Sequence, residues 1–404
     1  MSAFAISSLE LEQAFAGDAF VLDRDVLHVN HGSFGACPRA VLEHQAAIRA
    51  RLEAATMRWF VVEYTQALDA ARAAVAAYLG CDADGLVFVP NATHGVATAL
   101  ANVPLGAGDE VITTDHAYRA CKNALDRAAA AARARVLIAP IALPARDPAA
   151  PIAAILERVT ARTRLVLVDH VTSPTALVLD AAVLARALPS HVALLVDGAH
   201  APGMLDIEVG QVGAAFYTGN FHKWTCAPKG AGFLWVAPDR RDDFRPLVTS
   251  HGATLPTATR SRFRLEHDWT GTHDPSPYLS VPVAIDTIAR LGGGWPRVRE
   301  RNRALARVMR DDLAEALGAD PIDLTPGPPM TTMGAIAVTL PDGADNLGVE
   351  RTLLERGVEV PIVSHPGAPW PLVRVSAHLY NRRSDATRLA AALTAAGVRG
   401  RRIS

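Results

Sequence analysis

Short, predominantly apolar segments alternate with long helical patterns between about residues 38 and 290, and this alternation restricts the fold more than any other feature of the sequence. The apolar segments are Leu86–Val89, Glu110–Thr113, Arg135–Ile138, Arg164–Val168, Val192–Asp197 and Gly232–Val236. The alanine-rich stretches Tyr118–Arg135 and Pro148–Ala161 have the pattern of amphipathic helices. Strands that are apolar throughout, rather than at alternate positions, are buried on both faces. The sequence therefore predicts an α/β fold with a mostly parallel sheet between helices.

A second, smaller α/β region is predicted after a helical pattern over Val281–Leu317 that is interrupted by "GGGWP". Apolar segments at 334–340 and 372–376 alternate there with helical patterns at Asn346–Arg356 and Ser384–Ala396. The Pro/Gly-rich segment "LTPGPPM" (324–330) is predicted to be a loop. A chain of 404 residues is long enough for one large domain and one smaller domain.

Composition excludes several classes of protein. A formal net charge of −1 gives no support for a nucleic-acid or membrane-surface partner. The four cysteines are scattered without a C-x-x-C pair, which argues against a disulfide framework and a zinc site. The N-terminus lacks the features of a signal peptide, and no stretch of ~20 apolar residues marks a membrane span. We expect a cytoplasmic protein with neither a metal nor a membrane or nucleic-acid partner.

Polar residues directly follow four of the predicted strands. The segments are "NATHG", "DHAY", "DHVTSPT" and "DGAHAPG". Ligands bind beyond the carboxyl ends of parallel strands, where such residues come together. The sequence therefore predicts a small-molecule site at this edge of the sheet.

Asp197 and Lys223 are the most informative residues of that edge. Asp197 ends an apolar strand, and Lys223 lies 26 residues later (223 − 197) in the apolar and aromatic segment "GNFHKWTCAPKGAGFLW". A buried amine is costly unless it is paired or deprotonated. Pyridoxal phosphate needs a carboxylate beside its ring nitrogen and a lysine that holds it as an imine. Alternatively, Asp197 caps a turn and Lys223 extends from a surface loop.

Three other residues fit the same chemistry less specifically. Thr93 lies at the start of a helix, where backbone amides attract an anion, although a simple N-cap is equally compatible. His116 could stack on a pyridine ring or serve the structure. Arg374, within an apolar run, suits the carboxylate of a substrate or of the protein itself. The chain lacks the G-x-G-x-x-G, Walker, H-E-x-x-H and G-x-S-x-G motifs.

With these residues, the chain resembles the class V aminotransferase family of pyridoxal-phosphate enzymes, and within it the isopenicillin N epimerase-like subgroup. The resemblance runs from "VNHGSFG" near residue 30, through "DGAHAPG", "HKW" and "GTHD", to "LVRVSAHLYN" near residue 375. It implies fold type I, with a mostly parallel seven-stranded sheet in a large domain and a small C-terminal α/β domain. The implied domains are an N-terminal segment packing on the small domain (1–28), the cofactor domain (29–285) and the small domain (286–404).

The resemblance also implies roles for individual residues and a homodimer with shared active sites. Lys223 resembles the lysine that holds the cofactor, Asp197 the partner of its ring nitrogen, and His116 the residue stacked on the ring. The other cofactor ligands implied are Thr93, His94 through its amide, Ser173, His200, Asn220, His222 and, from the neighbouring subunit, Thr272. The residues implied to hold the substrate are Asn30, His31 and Arg374. Asn220 stands where the family often has a phosphate-binding serine, and Ser173 where many members have asparagine.

Three functions stay open. The first is an amino-acid epimerase that acts at Cα through an external aldimine, with Tyr64, Tyr217 and His31 as candidates for the second base. The second is a carbon–sulfur β-lyase, and the third is a cofactor-binding protein without catalysis. A persulfide-forming desulfurase is disfavoured, because such an enzyme needs a mobile cysteine in a late loop and no cysteine follows Cys226.

Overall fold

The computed structural model describes residues 6–143, 147, 149–322 and 331–403. The predicted loop at 324–330 and Pro148, the first residue of a predicted helix, lie outside this description.

The described strands form three sheets, of seven, four and two strands. The strands are β1 (Leu27–His28), β2 (Leu86–Val89), β3 (Glu110–Thr114), β4 (Arg135–Ala139), β5 (Thr163–Asp169), β6 (Ala193–Gly198), β7 (Phe216–Asn220), β8 (Gly232–Val236), β9 (Met333–Thr339), β10 (Val358–Glu359), β11 (Ile362–Val363), β12 (Leu372–Ser376) and β13 (Arg399–Gly400). The large sheet has the strand order β2-β8-β7-β6-β5-β3-β4, and β8 runs antiparallel to both of its neighbours. The α/β fold with a mostly parallel seven-stranded sheet is confirmed.

Helices cover the sheet and connect its strands. They are α1 (Ser8–Leu11), α2 (His31–Phe34), α3 (Arg39–Ala54), α4 (Thr56–Arg58), α5 (Tyr64–Leu79), α6 (Ala92–Ala101), α7 (Arg119–Ala132), α8 (Ala150–Leu156), α9 (Ala181–Ala187), α10 (Arg262–Asp268), α11 (Ser276–Leu279), α12 (Val281–Gly292), α13 (Trp295–Leu317), α14 (Asn346–Glu355) and α15 (Asp385–Ala395). The interruption between α12 and α13 is the "GGGWP" segment, where Gly293 and Gly294 adopt positive φ angles that glycine tolerates best.

Each strand of the large sheet contributes to two hydrophobic cores. In β5, Val166 and Val168 pack into the core that contains residues of α3, α5 and α12, whereas Leu165 and Leu167 face the core formed with α6, α7 and α10. Successive side chains of a strand point to opposite faces. Burial on both faces is the physical reason why these strands are apolar at consecutive positions rather than at alternate ones.

The four-stranded small sheet has the order β11-β12-β9-β13 and packs against α13, which packs in turn against α15. The N-terminal segment joins the same core through Leu11, Leu27 and Val29, and β1 pairs in parallel with β10. The predicted boundary between residues 285 and 286 falls within α12. The division into domains at these exact residues stays a prediction.

Within the described residues, no helix combines the length and the apolar character that crossing a membrane requires. Cys37, Cys81, Cys121 and Cys226 are all unpaired.

Candidate active site

A cavity of about 230 Å³ lies at the carboxyl ends of β5, β6 and β7, beside the first turn of α6. Its wall contains seven of the predicted cofactor residues: Thr93, Ser173, Asp197, His200, Asn220, His222 and Lys223. It also contains Ser33, Phe34, Asn91, Ala92, Tyr118, Asp169, Val171 and Ala199. The strand ends that were predicted to form one site therefore do meet at one cavity.

Lys223 points into this cavity rather than away from the protein. Its Nζ lies 3.0 Å from Nε2 of His200. Desolvation, and then the positive charge of Arg374, lower the pKa of Lys223 to about 8, although Asp197 and Asp169 oppose the shift. An amine with such a pKa is neutral in roughly a tenth of the molecules at pH 7, far more than an ordinary lysine, and only the neutral form is a nucleophile or proton acceptor.

Asp197 is 2% exposed and is held by two neutral donors. Its Oδ1 accepts a hydrogen bond from the Ala199 amide at 2.9 Å, and its Oδ2 accepts one from the Cys121 thiol at 3.0 Å. Among the described residues, none forms an ion pair with it within 4.0 Å. Burial raises its pKa. A cationic ring nitrogen in the cavity would supply the charge that this carboxylate lacks.

Asp169 is a second carboxylate on the wall, which sequence reasoning did not single out. It pairs in register with Asp197 on the neighbouring strand, and its Oδ2 accepts a hydrogen bond from the Tyr118 amide at 3.1 Å. Burial, and then the charge of Asp197, raise the pKa of Asp169 well above its ordinary value. The strand-end segment "DHVTSPT" marked this region, but the pairing depends on register, which residue spacing does not reveal.

The start of α6 offers donors for an anion, though fewer than expected. The amide of His94 donates to Oδ1 of Asn91, the N-cap residue, at 2.9 Å, so the predicted role for this amide is not supported by the geometry. Oδ1 of Asn220 accepts a hydrogen bond from the Ala92 amide at 2.8 Å. Asn220 and Thr93 both line the cavity, where the NH₂ group of Asn220 and the Thr93 hydroxyl would be available to an anion.

His222 lies beside the same end of the cavity. Its Nδ1 bonds to the carbonyl oxygen of Ala231 at 3.2 Å, which places the proton of the neutral ring on Nδ1. Desolvation, and then the charge of Lys223, lower the pKa of His222 to about 4. Nε2 is therefore an acceptor in the cofactor-free chain, and His222 would have to gain a proton before it could donate to a phosphate.

Arg374 is a buried cation surrounded by neutral acceptors. Its guanidinium donates to the carbonyl of Ser173, to the hydroxyls of Ser173 and Ser33, and to Oδ1 of Asn30. The side chain is 2% exposed, and its Nε has no hydrogen-bond partner. No described carboxylate lies within ion-pair distance, so the alternative of a protein carboxylate partner is not supported. Ser33 and Ser173 place this cation at the edge of the cavity.

His116 does not line the cavity, which corrects its predicted placement over the cofactor ring. Its Nδ1 is 2.7 Å from the Thr175 hydroxyl and its Nε2 is 3.1 Å from the carbonyl of Ile141, so both nitrogens are used by the protein. Desolvation lowers its pKa to about 4. Tyr118, two residues later in the same turn, lines the cavity instead. Tyr118 is one of the aromatic side chains on the cavity wall, together with Phe34, His200 and His222.

His31 also lies outside the cavity, contrary to its predicted contact with the substrate. Its Nε2 bonds to the carbonyl oxygen of Lys223 at 3.0 Å, and its Nδ1 lies 2.9 Å from the Tyr380 hydroxyl. The ring stacks on His378, which bonds to the carbonyl oxygen of Trp224 at 3.3 Å. His31 and His378 therefore bind the backbone carbonyl oxygens of two consecutive residues, Lys223 and Trp224.

The other two candidates for a second base are likewise outside the cavity wall. The Tyr64 hydroxyl donates to the carbonyl of Asp268 at 2.8 Å, and the Tyr217 hydroxyl lies 2.7 Å from Nδ1 of His170. Both rings are buried in the hydrophobic core that also contains Val166 and Val168 of β5. Thr272 is exposed and does not line the cavity of its own chain.

The residues present fit pyridoxal phosphate. The cavity wall offers a carboxylate without a cationic partner among the described residues, polar side chains beside the start of α6, and a largely desolvated amine. These match the ring nitrogen, the phosphate and the aldehyde carbon of that cofactor.

Comparisons with known proteins agree with this geometry. The sequence profile of the family "Aminotransferase class-V" matches residues 37–389. The chain is 36% identical to isopenicillin N epimerase of Amycolatopsis lactamdurans, over 94% of this chain and 97% of the relative. It is also 30% identical to putative L-cysteine desulfhydrase 1 of Oryza sativa subsp. japonica, over 90% of this chain and 82% of that protein.

A solved structure has the same fold. It is a complex between the cystine C–S lyase C-DES and its reaction product cysteine persulfide, and it superposes with a TM-score of 0.80 at 20% sequence identity. The match covers 94% of this chain and 99% of that chain.

Proposed function

The chain belongs to the class V aminotransferase family of pyridoxal-phosphate-dependent enzymes, and we propose that it is an amino-acid epimerase similar to isopenicillin N epimerase. One observation supports the proposal that the substrate is an amino acid: the buried guanidinium of Arg374 has no carboxylate partner among the described residues. A guanidinium matches a carboxylate in a bidentate arrangement. The α-carboxylate of an amino acid would satisfy both the charge and the unused Nε.

The site residues divide the proposed reaction between them. Pyridoxal phosphate, when bound, supplies the electron sink that acidifies the Cα hydrogen of the amino acid. Asp197 keeps the ring nitrogen protonated, because a buried carboxylate is stabilised by a neighbouring cation. Arg374 fixes the carboxylate and so orients Cα, while Nζ of Lys223 receives the Cα proton.

Inversion at Cα requires a proton donor other than Lys223. Tyr118 is the phenol on the cavity wall, it is 44% exposed, and burial raises its pKa above the ordinary value. A phenol keeps its proton at neutral pH, so Tyr118 offers an O–H donor on the cavity wall. We therefore assign Tyr118 as the second proton carrier of the proposed epimerase.

A carbon–sulfur β-lyase is the second candidate, because cysteine desulfhydrases of plants match over nearly the whole chain at 27–31% identity. Such a reaction would begin with the same proton transfer to Lys223. It would not need a cysteine nucleophile, which agrees with the complete burial of Cys226 and its strongly raised pKa. The two candidates differ in the fate of the carbon skeleton.

Incubation of the holoenzyme with a panel of L-amino acids in deuterated water distinguishes them. The epimerase predicts deuterium at Cα, an intact skeleton and accumulation of the D-enantiomer. Tyr118→Phe, which keeps the aromatic ring, should continue to exchange Cα hydrogen but lose inversion. Release of ammonia with pyruvate or another keto acid would favour the lyase. Absence of both exchange and release with every amino acid tested would overturn both.

We further propose a cytoplasmic homodimer with shared active sites. The four cysteines are free, as expected in a reducing compartment. Large apolar side chains are exposed in two segments: Met57, Val61 and Val62 in one, and Leu247, Val248 and Leu255 in the other. Exposed apolar surface of this kind is typical of an interface. Thr272, exposed on the chain alone, would then reach the phosphate of the partner's site.

A further inference from the structure

Trp224 directly follows the cofactor lysine in sequence and contacts a histidine of the cavity wall. Its indole Nε1 lies 3.3 Å from Nδ1 of His200, and both side chains are almost fully buried. An indole N–H is always a donor. Nδ1 of His200 must therefore be an acceptor, and the proton of its ring must reside on Nε2.

The opposite nitrogen of His200 faces the reactive amine. Nε2 is 3.0 Å from Nζ of Lys223. With its proton on Nε2, His200 donates to Lys223, and the contact is favourable when the amine presents a lone pair. An ammonium has no lone pair, so its N–H groups would face the N–H group of His200 and the contact would be unfavourable. The Trp224–His200–Lys223 chain thus favours the neutral amine.

We propose that Trp224 is a positioning residue that holds His200 in the Nε2–H tautomer, so that His200 acts as a hydrogen-bond donor beside Lys223 and not as a base. The inference deepens the proposed function, since it leaves Lys223 as the proton acceptor of the pair. A Cα proton received by Lys223 cannot pass to Nε2 of His200, which is already protonated. The proton stays on Lys223, where it can return to the substrate.

Other charged groups also act on the amine of Lys223. They are Arg374 on β12, Asp197 at the end of β6, Asp169 at the end of β5, Cys121 on α7, His31 on α2 and the adjacent His222. Of these, His31 also packs against Trp224, with the ring centroids 5.0 Å apart. A difference between the wild type and a Trp224 variant therefore reports the His200 tautomer or local packing.

The test measures the apparent pKa of Lys223 in the full chain without cofactor, from the pH dependence of its carbamylation by cyanate, followed by peptide mass spectrometry. In Trp224→Phe, His200 is free to turn its Nε2 lone pair toward the ammonium, which stabilises the charged form. The pKa of Lys223 should rise by roughly half a unit to one unit, the equivalent of one hydrogen bond. Its carbamylation rate at neutral pH should fall roughly three- to tenfold.

Two matched variants separate the tautomer from packing. Trp235→Phe removes another buried indole donor, which bonds to Asp82 at 3.0 Å, and should leave Lys223 unchanged. His200→Leu removes both ring nitrogens, so adding Trp224→Phe to it should have no further effect on the pKa of Lys223. An unchanged pKa in Trp224→Phe, or an equal shift in the His200→Leu background, would overturn the proposal.

A second measurement does not depend on how any variant folds. The ¹⁵N chemical shifts of His200 in the wild type identify which ring nitrogen carries the proton. Protonation at Nε2 supports the proposal, and protonation at Nδ1 refutes it. Because neither experiment uses a substrate, failure of the proposed epimerase reaction would leave both results interpretable.

Discussion

At the scale of single residues, Arg374 favours substrates that carry a carboxylate. A desolvated guanidinium with only neutral acceptors is costly to bury, and its pKa is lowered to about 10, first of all by desolvation. Such a residue is stabilised when a carboxylate enters beside it. Amines without a carboxylate would leave it uncompensated.

Arg374→Ala should lose about two to four powers of ten in kcat/KM for α-amino acids, because removing one partner of a desolvated charged pair costs about 3–5 kcal/mol. Arg374→Lys should recover part of the loss, since a point charge cannot hold both oxygens. Cofactor binding, measured by absorbance, should be unchanged. Arg383→Ala, at an exposed ion pair with Asp312, is the control. Full activity of Arg374→Ala on amino acids would contradict the assignment.

Asp197, Lys223 and Arg374 were predictable because each is a charged residue in an apolar segment, which is a local signal. His116 was predicted to lie over the cofactor ring, but Tyr118 lines the cavity and His116 does not. That difference depends on how the turn after β3 directs two side chains that are two residues apart. His31 was likewise assigned to the substrate, but α2 turns its ring toward the carbonyl of Lys223.

At the scale of elements, the junction of α6 with β7 is the part of the cavity where we propose that the cofactor phosphate binds. The N-cap Asn91 and the strand-end Asn220 already occupy two backbone amides of α6. What is left for a phosphate is the Thr93 residue, the NH₂ group of Asn220 and a protonated His222. All of these are neutral or cationic donors, as an anion site requires.

Asn220→Asp should weaken pyridoxal phosphate binding by at least about tenfold, because the new carboxylate would face the phosphate. Asn220→Ser, a neutral replacement that keeps a hydroxyl donor, should bind within a few-fold of the wild type. Equilibrium dialysis with absorbance detection measures both dissociation constants. Equal affinity of the two variants would show that Asn220 does not face the phosphate.

The strands themselves were predictable because burial on both faces leaves a continuous apolar segment in the sequence. Which strands lie side by side in the sheet, and in which register, was not predictable. The pairing of Asp169 with Asp197 follows from the order and register of β5 and β6, and both depend on how the whole sheet assembles. Asp169 was missed for that reason, although its strand was recognised.

At the scale of the whole molecule, the cavity lies in the large sheet while Arg374 is provided by β12 of the small sheet. The active site therefore depends on how the two sheets pack. The proposed dimer extends this dependence to a second chain. Thr272 is the predicted contribution of the partner, and the single chain leaves it exposed.

Mixing Lys223→Ala with Thr272→Ala chains should restore up to about a quarter of the wild-type activity, since half of randomly exchanged dimers have one intact site of two. The measurement is activity after subunit exchange, with exchange itself followed by native mass spectrometry. Lys223→Ala mixed with Asp197→Ala should recover nothing, because both residues belong to the same chain's cavity. Confirmed exchange without recovery in the first pair would exclude a shared site.

The most direct test of the account is to find where the cofactor is attached. The chain has three lysines, Lys122, Lys223 and Lys229, so the two others are internal controls. The holoenzyme should be yellow, borohydride should abolish its visible band, and mass spectrometry should find the pyridoxyl group on the Lys223 peptide alone. Lys223→Ala should show no label. A label on Lys122 or Lys229, or a protein that stays colourless with added pyridoxal phosphate, would contradict the central claim.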